Sequence, residues 1–237
     1  MTPSSNLARV LAVVGLSKEA RLAIGPGVEA VGAGGSPHRL REVLGARNAN
    51  GIRAVVSFGI AGGLDPSLAP GDVVVATGIR SDADRYPTDA TLSTAFAKRL
   101  GSLGPRLVFA DLAGVEAAVL SVDGKVALRK RSGAAAVDME SHVAAAFAQR
   151  HGLPFAAIRV VCDPAHRALP AFVATALKPN GDPDVLAVLG ALARGQIGIR
   201  VLIRLARDSS AAFAALSRCR ASLGHGLGVP EAGIAAG

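Results

Sequence analysis

The sequence predicts an α/β fold: a single domain with a mixed, mostly parallel central sheet flanked by helices. Two observations carry this. Short runs rich in Val, Ile and Ala alternate along the chain with Ala/Leu/Arg segments of helical spacing. That is the pattern of strands buried on both faces and joined by crossover helices. In addition, no long Ser/Gly/Pro linker and no internal repeat divides the 237 residues, a length that one core can hold.

Taken in order, residues 9–15 and 28–32 read as the first two strands, and 37–47 as a helix between the second strand and the third, over 54–57. Residues 72–77, opening on Asp-Val-Val-Val, form the next strand, followed by a long helix over 88–103. Strands over 107–110 and 117–120 precede a helix over 124–131. The small-residue strand 134–138 runs into a helix over 140–151, and the apolar run 155–161 is the last strand. Two further helices follow Pro179, over 185–194 and 198–220, so that 1–223 is the domain and 180–223 its basic helical part. The Gly/Ala-rich tail, 224–237, is expected to fray.

Composition narrows the function. A net charge of +8 invites a nucleic-acid reading. The chain, however, has no Trp, one Tyr and no basic stretch interleaved with aromatics of the kind that stacks on unpaired bases. No nucleic-acid partner is expected. No apolar run reaches the roughly 18 residues of a membrane span. Residues 1–8 carry no Lys or Arg, and the apolar run after them lacks a cleavage pattern, so no signal peptide is expected and the cytoplasm is the expected compartment. Cys162 and Cys219 lack metal-ligand spacing and read as core thiols. His38, His142, His151, His166 and His225 show no metal-ligand pattern either. Neither a metal nor an organic cofactor is expected.

Three segments could carry chemistry. Val55-Val56-Ser57-Phe58-Gly59-Ile60-Ala61-Gly62-Gly63-Leu64 runs from a strand into a glycine cluster, which lets backbone approach a ligand closely or simply makes a tight turn. It is not a dinucleotide fingerprint, and the chain has no Walker A sequence. In Val137-Asp138-Met139-Glu140-Ser141, Asp138 or Ser141 suits a helix cap. Glu140 suits either the positive end of that helix or a cleft in which a fixed carboxylate holds a sugar diol. In Phe155-Ala156-Ala157-Ile158-Arg159-Val160-Val161-Cys162-Asp163-Pro164 a buried strand again ends on an acid, which reads as a turn residue or as a catalyst. If the strands are parallel, all three ends fall on one edge, where open α/β sheets bind ligands.

Together with Pro70-Gly71-Asp72-Val73-Val74-Val75, these segments resemble, in order and spacing, the purine nucleoside phosphorylase and methylthioadenosine/adenosylhomocysteine nucleosidase superfamily, over residues from about 9 to 164. Residues 16–23, 121–124 and 137–142 and the Arg-rich C-terminal helices look most like its hopanoid-associated phosphorylases, implicated in removing adenine from adenosylhopane. The resemblance implies a nucleoside phosphorylase-like fold and cleavage of an N-glycosidic bond. It gives Glu140 the ribose hydroxyls, Met139 the sugar face and Asp163 the purine, with Asp163 as general acid. Gly62, Gly63 and Ser57 would line the substrate. Asp123 would help shape the pocket or make a turn.

Glu19 and Arg21 fall where nucleosidases keep a water-activating Glu and phosphorylases a phosphate-binding Arg, so phosphate enters as a possible co-substrate. Both also read as a solvated helix face. Ser57 and Ile60 stand where many phosphorylases hold phosphate with Arg and Ser, and an apolar Ile60 cannot replace a hydroxyl. This weakens phosphorolysis. After Pro179 the chain departs from the general superfamily. Arg200, Arg204 and Arg207 at helical spacing, with Val201, Leu202, Ile203 and Leu205 among them, suit an anionic membrane surface or a packed helix with a solvated face. The expected substrate is a 5′-substituted adenosine, adenosylhopane in the most specific reading, with peripheral contact at the inner face of the membrane. A general purine nucleoside phosphorylase and a non-catalytic adenosine-binding protein are the other readings. Homo-oligomerisation is implied by the resemblance alone.

Overall fold

A computed structural model describes residues 8–82, 84–104, 106–170 and 198–231. In chain order its elements are β1 (Arg9–Val14), α1 (Ser17–Ala23), β2 (Val28–Gly32), α2 (Pro37–Gly45), β3 (Ile52–Gly63), β4 (Val73–Ser81) and β5 (Asp84–Pro87). There follow α3 (Ala90–Leu100), β6 (Leu107–Gly114), α4 (Val122–Ser132), β7 (Ala136–Asp138), α5 (Ser141–Arg150), β8 (Phe155–Asp163) and α6 (Ile199–Leu223). The α/β class and the mixed sheet agree with the sequence.

The apolar runs form strands because side chains on alternate residues have a core on each face. In β1, Val10, Ala12 and Val14 pack into one hydrophobic cluster with Phe96 of α3 and Leu216 of α6. Leu11 and Val13 pack into another with Leu40 of α2 and Phe147 of α5. β1 lies between β2 and β3, parallel to both.

β3 has three partners, and this creates the site. β8 runs parallel to β3 from the Val55–Phe155 pair to the Gly62–Asp163 pair. β1 pairs with β3 only as far as Ser57, and β7 joins at Gly62 and Gly63, running antiparallel. Since β8 occupies one edge of β3, β1 and β7 share the other. Their C-terminal ends therefore converge head-on, leaving residues 58–61 without a strand partner on that edge. β8 continues to β4, β4 to β6, and β6 to β7, which closes five strands into a ring.

Several boundaries differ from the sequence reading, each for a physical reason. Residues 117–120 form no strand. Val115 and Val119 instead cover a small cluster containing Leu64, Leu128 and Val137. The strand expected over 54–57 extends through the glycines to Gly63, because β8 and β7 pair with them. Helix α3 starts at Ala90, where the Asp89 carboxylate caps it by accepting from Leu92 N at 2.9 Å. β5 was not expected. It is a short, charged, Pro-ending edge strand on β4, the composition that protects an edge. At the C-terminal end, residues 226–229 are packed on the domain: Leu227 and Val229 are buried in the core, and Gly226 N donates to Pro26 O at 3.0 Å. The helix expected over 185–194 lies outside the described residues.

Candidate active site

The converging strand ends bring three buried carboxylates around one buried guanidinium. Arg159 points from the middle of β8 and is fully enclosed. Its Nε lies 2.7 Å from Asp138 Oδ2, and its Nη2 donates to Ser57 Oγ at 2.7 Å and lies 3.2 Å from Glu140 Oε2. Nη1 donates to Ile60 O at 3.3 Å. A buried cation of this kind is tolerated only with such partners.

Asp138, at the end of β7, does two jobs. Its Oδ1 accepts from the backbone N of Glu140 and of Ser141 at 3.1 and 2.8 Å, opening α5 as a cap would. Its Oδ2 faces Arg159 and accepts from the Ser141 hydroxyl. Because its one proton goes to Asp138, Ser141 Oγ accepts from the Ser57 hydroxyl, 2.9 Å away. With its neighbour fixed in this way, Glu140 turns towards β1. A methyl group built on Gly15 would stand 2.6 Å from Glu140 Oε1, so the end of β1 must be glycine for this carboxylate to fit.

Glu19 approaches from α1 and fills the unpaired stretch of β3. Its Oε1 accepts from Ile60 N at 2.7 Å, and its Oε2 accepts from Gly15 N and Leu16 N at 2.7 and 2.8 Å. The carboxylate thus takes the place of a missing strand, and it is buried rather than on a solvated helix face. A methyl on Gly59 would lie 2.5 Å from Arg159 Nη1 and closer still to Glu19 Oε1. We expect Gly59→Ala to displace both groups and to destabilise the fold by ~1–3 kcal/mol, the cost of overpacking, visible as a lower Tm.

The crowding of buried charge around this cation shifts the titration of Glu140 and of Glu19. Burial pushes Glu140 up to about 8, with Asp138 and Glu19 adding to the rise and Arg159 opposing it. Burial likewise raises Glu19, against Arg159 and the three backbone N–H donors. Near neutrality the cluster therefore holds a proton that isolated carboxyl groups would have released.

Asp163 ends β8 beside Gly62 and Gly63: methyl groups built on these would meet Asp163 Oδ2 at 3.3 Å and Asp163 O at 3.2 Å. Burial raises its pKa against the ammonium of Lys125, which donates to Oδ2 from the first turns of α4. Met139, between Asp138 and Glu140, is half-buried. Asp123 is exposed in the first turn of α4, and it is Lys125, two residues on, that enters the site. Arg21 lies on the exposed side of α1, and His166 is exposed. The structure thus gathers Glu19, Ser57, Gly62, Gly63, Glu140 and Asp163, and leaves Asp123 and Arg21 outside the cluster.

Sequence reasoning gave Arg159 and Lys125 no role of their own in the site and Ser141 only that of a helix cap. The signal for Arg159 is a cation inside the apolar run Phe155–Asp163, where burial demands carboxylate partners. Two surface hollows, of about 240 and 370 Å³, lie beside Tyr86 and Gln149 and beside Ile24 and Glu29. Neither includes any residue of the cluster, and the site is assigned from the convergence of buried charge. Among the described residues, no group of three His, Cys, Asp or Glu is placed to hold a metal ion, and no helix is long and apolar enough to cross a membrane.

The sequence profile of the phosphorylase superfamily matches residues 32–179, more than half of the chain. The chain belongs to this superfamily. No curated protein matches the sequence significantly. Among solved structures, the superfamily fold of this chain is similar to that of 5′-methylthioadenosine/S-adenosyl homocysteine nucleosidase from Helicobacter pylori, with a TM-score of 0.66, 15% identity and coverage of 91% of this chain and 98% of that one. Futalosine hydrolase of Helicobacter pylori strain 26695 aligns with a TM-score of 0.61 at 17% identity, over 90% of this chain and 98% of its own. A methylthioadenosine nucleosidase, so described provisionally, from Weissella paramesenteroides gives 0.59 at 21% identity, over 76% and 97%. At these identities the likeness is one of fold.

Proposed function

We propose that this superfamily member hydrolyses the N-glycosidic bond of a 5′-substituted adenosine and releases adenine. The observation that carries the reading is the seating of Glu19: a buried carboxylate held by Ile60 N–H, meeting Glu140 at Gly15 and bonded to the same strand β3 that meets Asp163 at Gly62. The similar folds of the Helicobacter pylori nucleosidase and hydrolase support it.

Each group has a defined task. Glu19 Oε1 has acceptor capacity beyond its one backbone bond and takes a proton from water, whose oxygen attaches to C1′. As the C1′–N9 bond breaks, positive charge grows on the sugar and negative charge on the purine. Glu140 accepts hydrogen bonds from the ribose diol, bonds that strengthen with that charge. Met139 provides an apolar surface against the sugar, and Asp163 donates a proton to the leaving base. The exposed position of Arg21 and the apolar Ile60 support hydrolysis over phosphorolysis.

In the finer reading, the 5′ substituent is a hopane. The first turns of α6 expose Ile199, Val201 and Ile203 among Arg200, Arg204 and Arg207, a composition suited to the surface of an anionic bilayer. Chromatography of reactions with 5′-methylthioadenosine and with a long-chain 5′-alkyl adenosine tests both levels. Adenine from either supports the cleavage, and faster turnover of the long-chain compound supports the lipid reading. Adenine from neither would refute the proposed activity.

A further inference from the structure

Lys125 is the most deeply buried lysine among the described residues, with 1% of its surface exposed. Its three ammonium protons have three acceptors: Asp163 Oδ2, Pro164 O at 3.0 Å and Arg167 O at 3.0 Å. Two of the acceptors are backbone carbonyls, which can only accept. The third is the carboxylate of the candidate acid.

This arrangement accommodates both protonation states without moving an atom. As ammonium and carboxylate, all three N–H groups donate. As amine and carboxylic acid, the two remaining N–H groups stay on Pro164 O and Arg167 O, and the nitrogen lone pair accepts from Asp163 O–H. The charged groups near the pair are few. Asp163 also feels Arg167, which is itself bonded to Asp208 of α6, and Cys162 lies within electrostatic reach of the pair. One turn further along α4, Arg129 is paired with Asp65.

We propose that Lys125 is a positioning and proton-relay residue, and that the proton reaching the purine is supplied by the Lys125–Asp163 pair rather than by Asp163 alone. The inference rests on the glycosidic cleavage proposed above. In each turnover the C1′–N9 electron pair passes to the purine, a Lys125 ammonium N–H bond breaks as its proton moves to the Asp163 carboxylate, and Asp163 passes that proton to a purine ring nitrogen, leaving amine and carboxylate. After the base leaves, a solvent proton returns to Lys125 through Asp163, while Glu19 releases to solvent the proton taken from water. Charge and atoms balance over the cycle. The relay holds a proton on the pair as pH rises, whereas a lone carboxyl, although burial raises its pKa, is progressively ionised.

The test is adenine release from 5′-methylthioadenosine by the full chain across about pH 5–9, for the wild type and for Lys125→Met. The expected result at about pH 8 is a kcat lower by ~10- to 100-fold with KM within about threefold. Towards the acid end of the range the ratio of wild-type to variant kcat should shrink, because the fraction of Asp163 protonated without help from Lys125 grows as pH falls. Should the aliphatic variant not fold, Lys125→Gln, which keeps an N–H on Asp163, is read in the same way. An unchanged kcat at pH 8, or a loss equal at every pH, overturns the relay and leaves the cleavage standing. A wild type that releases no adenine overturns both.

Discussion

Replacing Glu19 by Gln is expected to lower the rate of base release by ~10²–10⁴-fold, the usual contribution of a general base. The geometry makes the variant informative beyond the missing charge. Both oxygens of Glu19 accept from backbone N–H groups, Oε1 from Ile60 and Oε2 from Gly15 and Leu16. A glutamine amide must therefore set its NH₂ against one of these donors, whichever way it is flipped. The unmade hydrogen bond costs ~1–3 kcal/mol, about 2–4 °C of Tm per kcal/mol for a domain of this size. Steady-state kinetics should thus be read beside a thermal melt. A loss of rate that persists well below the variant's Tm reports catalysis, and a variant with wild-type kcat would remove Glu19 from the mechanism.

Glu140→Gln is expected to lose activity and gain stability together, with both effects growing with pH. In the folded protein Glu140 titrates at about 8, against an ordinary value of 4.5. A carboxyl raised in this way binds a proton in the folded state that the unfolded chain has released. Its contribution to stability is fully present below about 4.5 and is lost as pH rises through about 8. Glutamine cannot ionise, so the variant does not incur that loss. Its Tm should exceed that of the wild type increasingly from about pH 5 to 9, by several degrees at the alkaline end. Over the same range the wild type gains the ionised diol clamp, so the variant's deficit in kcat/KM should be small near pH 6 and about 10²-fold near pH 9, the worth of charge-assisted hydrogen bonds. Differential scanning fluorimetry and kinetics across that range provide the check. A Tm difference that shrank as pH rose would contradict the charge crowding around Arg159.

The two variants also mark what was legible in the sequence. The strands could be read because their apolar runs have one physical meaning, burial on both faces. Glu140 and Asp163 could be read because an acid ending such a run is costly without a task. The glycines of β3 misled. Glycine after an apolar run usually turns the chain, whereas here Gly59 and Gly62 stay extended, and the space a side chain would fill is taken by Glu19, Arg159 and Asp163. The three strand ends do share one site, but only β3 and β8 are parallel neighbours. β7 runs against β3 and reaches the cleft because it meets β1 head-on, an arrangement with no local signature. Lys125 was invisible for a similar reason. Its helix has little amphipathic character, and nothing within α4 distinguishes this buried lysine from the exposed Lys130 on the same helix. Only tertiary structure places it on Asp163.

Tail and loop errors have the same origin. Leu227 and Val229 are two apolar residues in a Gly-rich stretch, too few to show periodicity, yet each finds a place in the core formed by α6, α3 and β1. Residues 117–120 are apolar enough for a strand, but Ala117 and Ala118 are exposed and Val119 covers the cluster of Leu64 and Leu128.

Hydrolysis with Glu19 as the water-activating base is the central claim, and the most direct measurement is the sugar product formed in phosphate-free buffer and in buffer with added phosphate. The account predicts adenine at the same rate in both, with free 5′-substituted ribose as the co-product. Adenine that appears only with phosphate, together with a 5′-substituted ribose 1-phosphate, would contradict it.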